Sequence, residues 1–552
     1  MGLKEKIQQQ NQKFRKYYSS EINRYRLITT IVFICVITLL AWQSDDAYHA
    51  YIMAKNLVLG NGFVYNIGER ASATSCPLFT LVIAGGYFLF RKMFLVSLLI
   101  CIIFSTLAYH ILIQTFCKSK KQIILSFVTL IGSFCFISYT TSGLENSLLF
   151  FLAALFLKYY FETDIYTAKR MFILALLISL IAMTRMDAVL MFVPMILYVF
   201  LFKRDKVSFI KAVGLGFAGL LPFIGWELFS TFYYGFPIPN TAFVKLGTQI
   251  PLKEYLYRGF QYVVTSGLTD ILLLGVPAMV VIIVLYMRKA KYIYTVLGMI
   301  LYVAYLMYIG GDFMVGRHFT VMFFMSVCTY VVIENQGFAS CKKPQRISAV
   351  YTTIVGLGLV YAMGTGVITS QFMYGNTFSS PISDERGNYF KYTSLFNNTL
   401  SYLQTGKLCI RDAWNEEGID DLRAHDNTGG LLRMVPGISI YYNSDLYLND
   451  LYALGDPFLS KLPAVREANW RIGHMWRESP EGYGETVMYH TNMLVDENLV
   501  EYYDIIRLIT RGDLFDQERI KAIIKINRGD YHYLIEQYKE TLDENCKQIK
   551  EE

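Results

Sequence analysis

LITTIVFICVITLLAWQSDDAYHAYIMAKNLVLGNGFVYN, residues 27–66, decides the fold. Leu27 to Trp42 is apolar apart from three threonines, and it runs straight into two adjacent aspartates, Asp45 and Asp46. A carboxylate is costly in hydrocarbon, and a like charge beside it raises the cost further. A pair at the point where a membrane span meets water therefore either ends the helix in solvent or does chemistry there. The leader before the span is long and basic, and no small-residue cleavage site follows it, so this first span reads as a retained anchor and not as a signal peptide.

Outward from this stretch the same apolar character recurs. Of the 552 residues, 54% are hydrophobic and 16% aromatic, too many for an ordinary soluble chain of this length. Further apolar runs, several shorter than the 17 to 25 residues of a typical span, cover Met93 to Phe116, Gln122 to Tyr139, Ser147 to Phe161, Met171 to Met183, Ala188 to Phe202 and Phe209 to Phe229. Ile271 to Met287, Tyr292 to Ile309, Phe319 to Ile333 and Ile347 to Thr369 complete the series. The expected fold is a polytopic α-helical membrane protein with about 11 transmembrane helices.

Basic residues orient the spans, because short cytoplasmic loops are rich in Lys and Arg. Met1 to Arg26, Lys118 to Lys121, Lys169 and Arg170, Lys203 to Lys211, Arg288 to Lys291 and Lys342 to Arg346 all belong inside on this rule. Pro77 to Phe90, a short run interrupted by Gly85 and Gly86, would put Lys118 to Lys121 outside if it crossed. It is therefore expected as a juxtamembrane helix within a first outer loop spanning 44–92. The composition turns polar near Gln371, and the last roughly 180 residues are enough for a core of their own. The expected organisation is a basic cytoplasmic N-terminus over 1–26, a transmembrane domain over 27–370 and a mixed α/β extracytoplasmic domain over 371–552. In that last part Ile438 to Tyr442 reads as a strand, and Leu499 to Ile509 and Arg519 to Ile526 as helices. Lys539 to Glu552 is a charged tail expected to fray.

The nine cysteines show no metal spacing; Cys409 and Cys546 could be joined in an oxidising compartment. No P-loop and no dinucleotide-binding glycine motif is present. The net charge of +7 fits cytoplasmic loops facing anionic lipid and does not point to nucleic acid.

The outward loops carry a short set of charged and polar residues that need a reason to be there. Beyond Asp45 and Asp46 they include Lys55, Glu69 and Arg70, Glu145 in TSGLENS, Arg185 and Asp187 in TRMD, Asn240 and Lys245 in YYGFPIPNTAFVK, and Asp312, Arg317 and His318 in GGDFMVGRHF. Carboxylates beside cations at headgroup depth suit sugar transfer from a polyprenyl phosphate. The acceptor hydroxyl must lose a proton, and the leaving phosphate gains charge that a cation can stabilise. Each residue also has a plainer use. Arg185 and Asp187 can pair with each other, Arg317 and His318 can reach headgroups, Glu145 can serve a helix N-terminus, and the GGD run can be only a turn.

The motifs resemble those of the GT-C membrane glycosyltransferases, in particular the mycobacterial β-1,2-arabinofuranosyltransferases that use decaprenyl-phosphoryl-arabinose. The run DDAYHAYIMAKNLVLGNGFVYNIGERASATSCPLF, residues 45–79, is similar to that family's first outer loop, and TRMDAVL, YYGFPIPNTAFVK and GGDFMVGRHF follow in the family's order. LYALGDPFLSKLPAV and WRIGHMWRESPEGY resemble its outer domain. Cys76 interrupts the TSPLW-like segment, Phe79 stands for its Trp, and Met186 stands where Pro is usual. The resemblance implies an inverting transferase of a bacterial plasma membrane, with Asp45 the preferred base and Asp46 supporting or sharing the role. The donor phosphate and substrate would meet Arg185, Asn240, Lys245, Arg317, His318, Glu145, Asp312 and His474. The partners it implies are a polyprenyl-phosphate sugar, an extracytoplasmic glycan acceptor and membrane lipids. The acceptor could stack on Trp414, Tyr441, Tyr442, Trp470 and Trp476.

These residues name no cofactor, and a divalent ion stays open, since Asp45 and Asp46 with a donor phosphate could hold Mg²⁺ or Ca²⁺. A lipid-linked sugar transporter or flippase, or a non-catalytic scaffold of the same family, remains the alternative. A transporter is expected to carry charges near mid-membrane and paired repeats; here the charges gather at one face and no repeat is evident.

Overall fold

The computed structural model describes residues 20–245, 248, 250–337, 344–364, 381–412, 429–433, 436–464, 470–475 and 477–540. The change of composition near Gln371 and the tail beyond Glu540 lie outside the described residues. The chain is mostly helical. In order, the elements that carry the argument are α1 (Glu21–Leu39), α2 (Ala47–Leu59), α3 (Pro77–Phe90), α4 (Met93–Ile111), α5 (Lys120–Gly132), α6 (Phe134–Tyr139), α7 (Asn146–Phe161) and α8 (Ala168–Thr184). Next come α9 (Val193–Phe202), α10 (Phe209–Tyr234), α11 (Asn240–Lys245), α12 (Leu252–Thr269), α13 (Ile271–Met287), α14 (Ala290–Tyr308), α15 (Phe319–Val332) and α16 (Pro344–Gly364). After these follow α17 (Glu385–Thr393), α18 (Leu395–Thr405), β1 (Gly430–Arg433), α19 (Gly437–Tyr442), β2 (Tyr447–Asp450), α20 (Tyr483–Tyr489), α21 (Glu497–Arg511) and α22 (Gln517–Arg528).

Among the described residues six helices are long and apolar enough to cross a membrane, and α12 with α13 would supply a seventh if that pair, bent by 106°, forms one span. The chain is thus a helical membrane protein. Lengths alone do not give the eleven crossings expected, because several apolar runs are short or broken. Gln122 to Tyr139 is interrupted at Ser133, whose hydroxyl accepts the Phe136 N–H and donates to Asp270 at 2.6 Å, so α6 starts afresh. Ala188 to Phe202 begins as a 3₁₀ turn over Met186–Met191 before α9. The loop expected after α10 instead contains α11 and the amphipathic α12, whose apolar Leu252, Leu256, Phe260, Val264 and Leu268 are exposed.

Close packing of the spans rests on small residues, as in bilayers where apolar burial against lipid supplies little drive. A Cβ at Gly219 of α10 would lie 2.5 Å from Ala175 Cβ and 2.8 Å from the Leu176 nitrogen of α8. Three residues on, Pro222 sits inside α10 and disturbs its ladder, and the N–H of Phe223 donates instead to Ser179 Oγ of α8 at 2.9 Å. Proline and serine together fix how these two helices meet.

The first loop forms two helices, α2 and α3, packed on each other; the run Pro77 to Phe90 is helical as expected and forms α3. Ile438 to Tyr442 is helical within α19, not a strand. Strand content among the described residues from 381 onward is limited to β1 and β2, which pair in parallel from Gly430 opposite Tyr447 to Arg433 opposite Asp450, so the mixed α/β expectation is met only thinly. The helices expected over Leu499 to Ile509 and Arg519 to Ile526 are α21 and α22. They build a second hydrophobic cluster with Phe458, Leu459 and Tyr483, into which Phe236 and Val244 from the α10–α11 connection also pack. The segment after α16 is tied to the loop before α15 by Ser383, whose N–H donates to the Phe313 carbonyl at 2.8 Å while its own carbonyl accepts the Val315 N–H at 3.0 Å.

Candidate functional site

Asp45 and Asp46 lie in the turn between α1 and α2, at the wall of a polar cavity of about 530 Å³. Glu145, Arg185, Lys245, Asp312, Arg317, Arg471 and His474 line the same cavity, so with Asp45 and Asp46 most of the predicted residues converge there from six separate stretches of chain. Segments some 400 positions apart in sequence meet at the first aspartate. Asp45 accepts the Gly437 N–H on Oδ2 and the Ile438 N–H on Oδ1, each at 2.9 Å, which holds the start of α19 against the turn. Burial pushes its carboxyl up to about 7, against the pull of these two N–H groups, and the charge of Asp46 adds to the rise. Asp46 makes no hydrogen bond among the described residues. Burial raises its pKa too, while Arg317, Lys245 and Arg471 oppose the rise.

Glu145 is the hub of the cationic wall. Its Oε1 accepts Arg185 Nη1 at 2.6 Å and Arg317 Nη2 at 3.0 Å, and its Oε2 accepts Arg317 Nη2 at 3.1 Å. Burial would raise this carboxyl, but the two guanidinium charges hold it down at about 2. Arg185 also donates through Nε to Asp187 at 2.8 Å and packs its Nη2 on the His318 ring. His318 Nε2 lies 3.1 Å from Asp312 Oδ2 and Nδ1 lies 3.1 Å from the Tyr302 hydroxyl. Burial and the Arg185 charge lower the His318 pKa, while Asp312 and Asp187 oppose the fall. Burial would raise Asp312, but His318, by charge and by hydrogen bond, and the charges of Arg317 and Lys245 hold it well below the usual carboxylate range.

Lys245 differs from the arginines in having no ion pair or hydrogen bond among the described residues. It ends α11, with its stem beside Gly473, and it lines both the polar cavity and a second, mostly apolar one of about 770 Å³. Leu190, Phe223, Trp226, Tyr305, Tyr308 and Ile309 wall this second cavity, and Thr74, Ser75, Arg185, Thr241 and Lys245 belong to both. The sequence-predicted charges therefore stand where an apolar chamber opens on a polar one.

Not every predicted residue arrives there. Asn240 is buried and lines neither cavity; its N–H donates to the Ser72 carbonyl at 2.9 Å, fixing the start of α11. Lys55 turns to Ser444 Oγ at 2.8 Å. Glu69 pairs with Arg511 at 3.1 Å and Arg70 is bonded to the Gly512 carbonyl. His474 does reach the cavity, edge-on to Phe313 and Tyr452 at ring separations of 4.3 and 5.0 Å. Burial pushes its pKa down to about 3, with Arg471 adding to the effect, so it is neutral. Of the aromatic residues suggested for stacking, Trp414 and Trp476 lie outside the described residues, as does Cys546 of the suggested disulfide, and Trp470 packs in the core against Tyr255.

Arg471 is the residue that sequence reasoning passed over. Its Nη2 donates to Glu385 Oε1 at 2.8 Å and Ser383 Oγ at 2.7 Å, and its guanidinium lies 4.5 Å from the Phe313 ring centre. The WRIGHMW run that flagged His474 contains it, but its partner Glu385 carries no motif.

Asp45, Asp46 and His49 bring their ligand atoms within 4.8 Å of one another. Yet both Asp45 oxygens already accept N–H groups, and His49 Nδ1 lies 2.9 Å from the Tyr65 hydroxyl. Mg²⁺ and Ca²⁺ take a shell of about six or more oxygen ligands, and here only two carboxylates and one imidazole meet, so this set by itself fits either ion poorly. No family model, curated protein or solved structure matches the chain.

Proposed function

We propose that the protein is an inverting glycosyltransferase of the GT-C type. It would move a sugar, with a pentofuranose such as arabinose the first candidate, from a polyprenyl-phosphate carrier to an extracytoplasmic cell-envelope glycan. The observation that carries this reading is the junction of the two cavities. An isoprenoid chain suits the apolar chamber and a sugar suits the polar one, and the uncommitted ammonium of Lys245 stands at the wall they share. A phosphate linking chain to sugar would sit beside it.

The chemistry is a single displacement. The acceptor hydroxyl oxygen bonds to the anomeric carbon as its proton passes to Asp45, and the bond from that carbon to the phosphate oxygen breaks, its electron pair leaving on the lipid phosphate. Asp45 suits the base because its two N–H contacts fix its direction and its pKa of about 7 matches neutral conditions. Asp46, without a protein partner among the described residues, is free to hold sugar hydroxyls. Lys245 balances the charge gained by the leaving phosphate, while Glu145 keeps Arg185 and Arg317 extended beside it. About eleven crossings, a cytoplasmic N-terminus and an extracytoplasmic domain over 371–552 belong to the same reading, with the shorter helices α5, α7, α8 and α9 completing the bundle.

Binding of a polyprenyl phosphate to the purified protein in nanodiscs tests the proposal. Lys245→Ala is expected to weaken it about 10- to 100-fold, the range for a hydrogen bond to a charged group. Equal binding by wild type and variant, together with equal binding of the uncharged polyprenyl alcohol, would remove the phosphate subsite and the reading with it.

A further inference from the structure

One helix beside the site carries its polarity inside out. α18 buries Asn398, which is 0% exposed, with Nδ2 donating to the carbonyls of Tyr392 at 2.7 Å and Ser394 at 2.9 Å. Its Oδ1 accepts the Ile410 N–H at 3.1 Å. The opposite side presents Phe396, Leu400 and Leu403, which are 54%, 45% and 77% exposed. The spacing of four and three puts these residues on one stripe, about 10 Å long at the rise of an α-helix. In a helix surrounded by water the amide would face out and the stripe would face in.

Two contacts say what covers the stripe. The Leu395 N–H, at the start of α18, donates to the carbonyl of Ala41 at 2.9 Å, and Ala41 lies just past the end of α1. α18 also packs against α1 itself. The stripe thus begins at the level where the first membrane helix ends, and α1 itself leaves Leu39, Val32, Ile31 and Ile28 exposed. We infer that α18 is an interfacial helix, with Phe396, Leu400 and Leu403 set among the acyl chains of the leaflet on the Asp45 side. The part of the chain that follows the transmembrane bundle is then held down at the bilayer surface beside the cavity and does not stand free of it. This inference rests on the membrane character of α1 and is independent of the transferase reading.

Photocrosslinking of the full chain in nanodiscs of phosphatidylethanolamine and phosphatidylglycerol tests it. A benzophenone side chain is placed at position 403, and separately at position 39, which faces lipid on α1. Mass spectrometry of the digested protein is expected to find lipid adducts at 403 with a yield within about threefold of that at 39. Adducts at 39 with none at 403 would overturn the proposal, and so would chain-to-chain adducts at 403, which would make the occupant a second copy. Position 403 is the most exposed of the stripe and makes no packing contact that folding needs. As a second reading, Leu403→Asp should move α18 off the bilayer, raising hydrogen exchange of residues 395–405 several-fold while leaving that of α1 unchanged. Unchanged exchange in α18 would contradict the proposal.

Discussion

Glu145 is the residue on which both site arginines depend. With the carboxylate removed, Arg185 keeps only Asp187, at 2.8 Å, and Arg317 only Asp312, at 3.9 Å, and breaking a buried ion pair from one side costs about 3–5 kcal/mol. Glu145→Gln is therefore expected to lower the thermal unfolding temperature of the purified protein markedly, whereas Lys245→Ala, which breaks no pair, should leave it nearly unchanged. Equal melting of wild type and Glu145→Gln would show that the arginines have other support. The acid pair gives a pH prediction. Asp45 accepts a proton only when ionised, so transfer should rise with pH through about 7 and level off above it. The charge of Asp46 raises that pKa, so Asp46→Asn should move the acid limb to lower pH. A wild-type limb at about 4, the ordinary carboxylate range, would exclude a buried base. These residues were legible because charges in outward loops of an apolar chain are few. Arg471 and Glu385 were not, since each comes from a polar region where one more charge carries no signal. Asn240, a motif asparagine, lines neither cavity, and the contact that holds it is its backbone N–H to the Ser72 carbonyl.

Among the elements, α19 ties the polar part of the chain to the acid pair. A Cβ at Gly437 would lie 2.8 Å from the Asp45 carbonyl oxygen and 3.2 Å from His49 Nε2, so the helix start can approach the turn only as glycine. Gly437→Ala is expected to displace α19, loosen both N–H contacts on Asp45 and cut transfer about 10-fold or more, with membrane insertion intact. Full activity in that variant would show that Asp45 does not need α19. The run Ile438 to Tyr442 misled as a strand because β-branched and aromatic residues favour strands only where a sheet surface receives them; here Pro436 and the Asp45 carboxylate set up a helix start instead. α12 escaped notice because its apolar residues fall at helical spacing among polar ones, which a search for continuous apolar runs passes over. Gln122 to Tyr139 read as unbroken because Ser133 is inconspicuous in sequence, and only its partner Asp270 shows why the helix restarts there.

At the scale of the molecule, helical membrane character was written in composition, and the gathering of loop charges at one end of the bundle followed from the order of basic clusters. The two adjoining cavities were not, because an empty volume has no sequence signature; the apolar one lies among α8, α10, α12 and α14, and the polar one among the loops that carry Asp45, Glu145, Asp312 and Arg471. The central claim is that the junction holds a lipid-phosphate sugar and that Asp45 takes the acceptor's proton. The most direct test is sugar transfer by the wild-type protein in nanodiscs from a panel of polyprenyl-phosphate sugars, alongside Asp45→Asn with donor binding measured in parallel. One donor should be consumed, and Asp45→Asn should slow transfer about 100- to 10,000-fold with donor affinity retained. Binding or translocation of the lipid by wild type with no donor consumed would contradict the account and favour a transporter or scaffold.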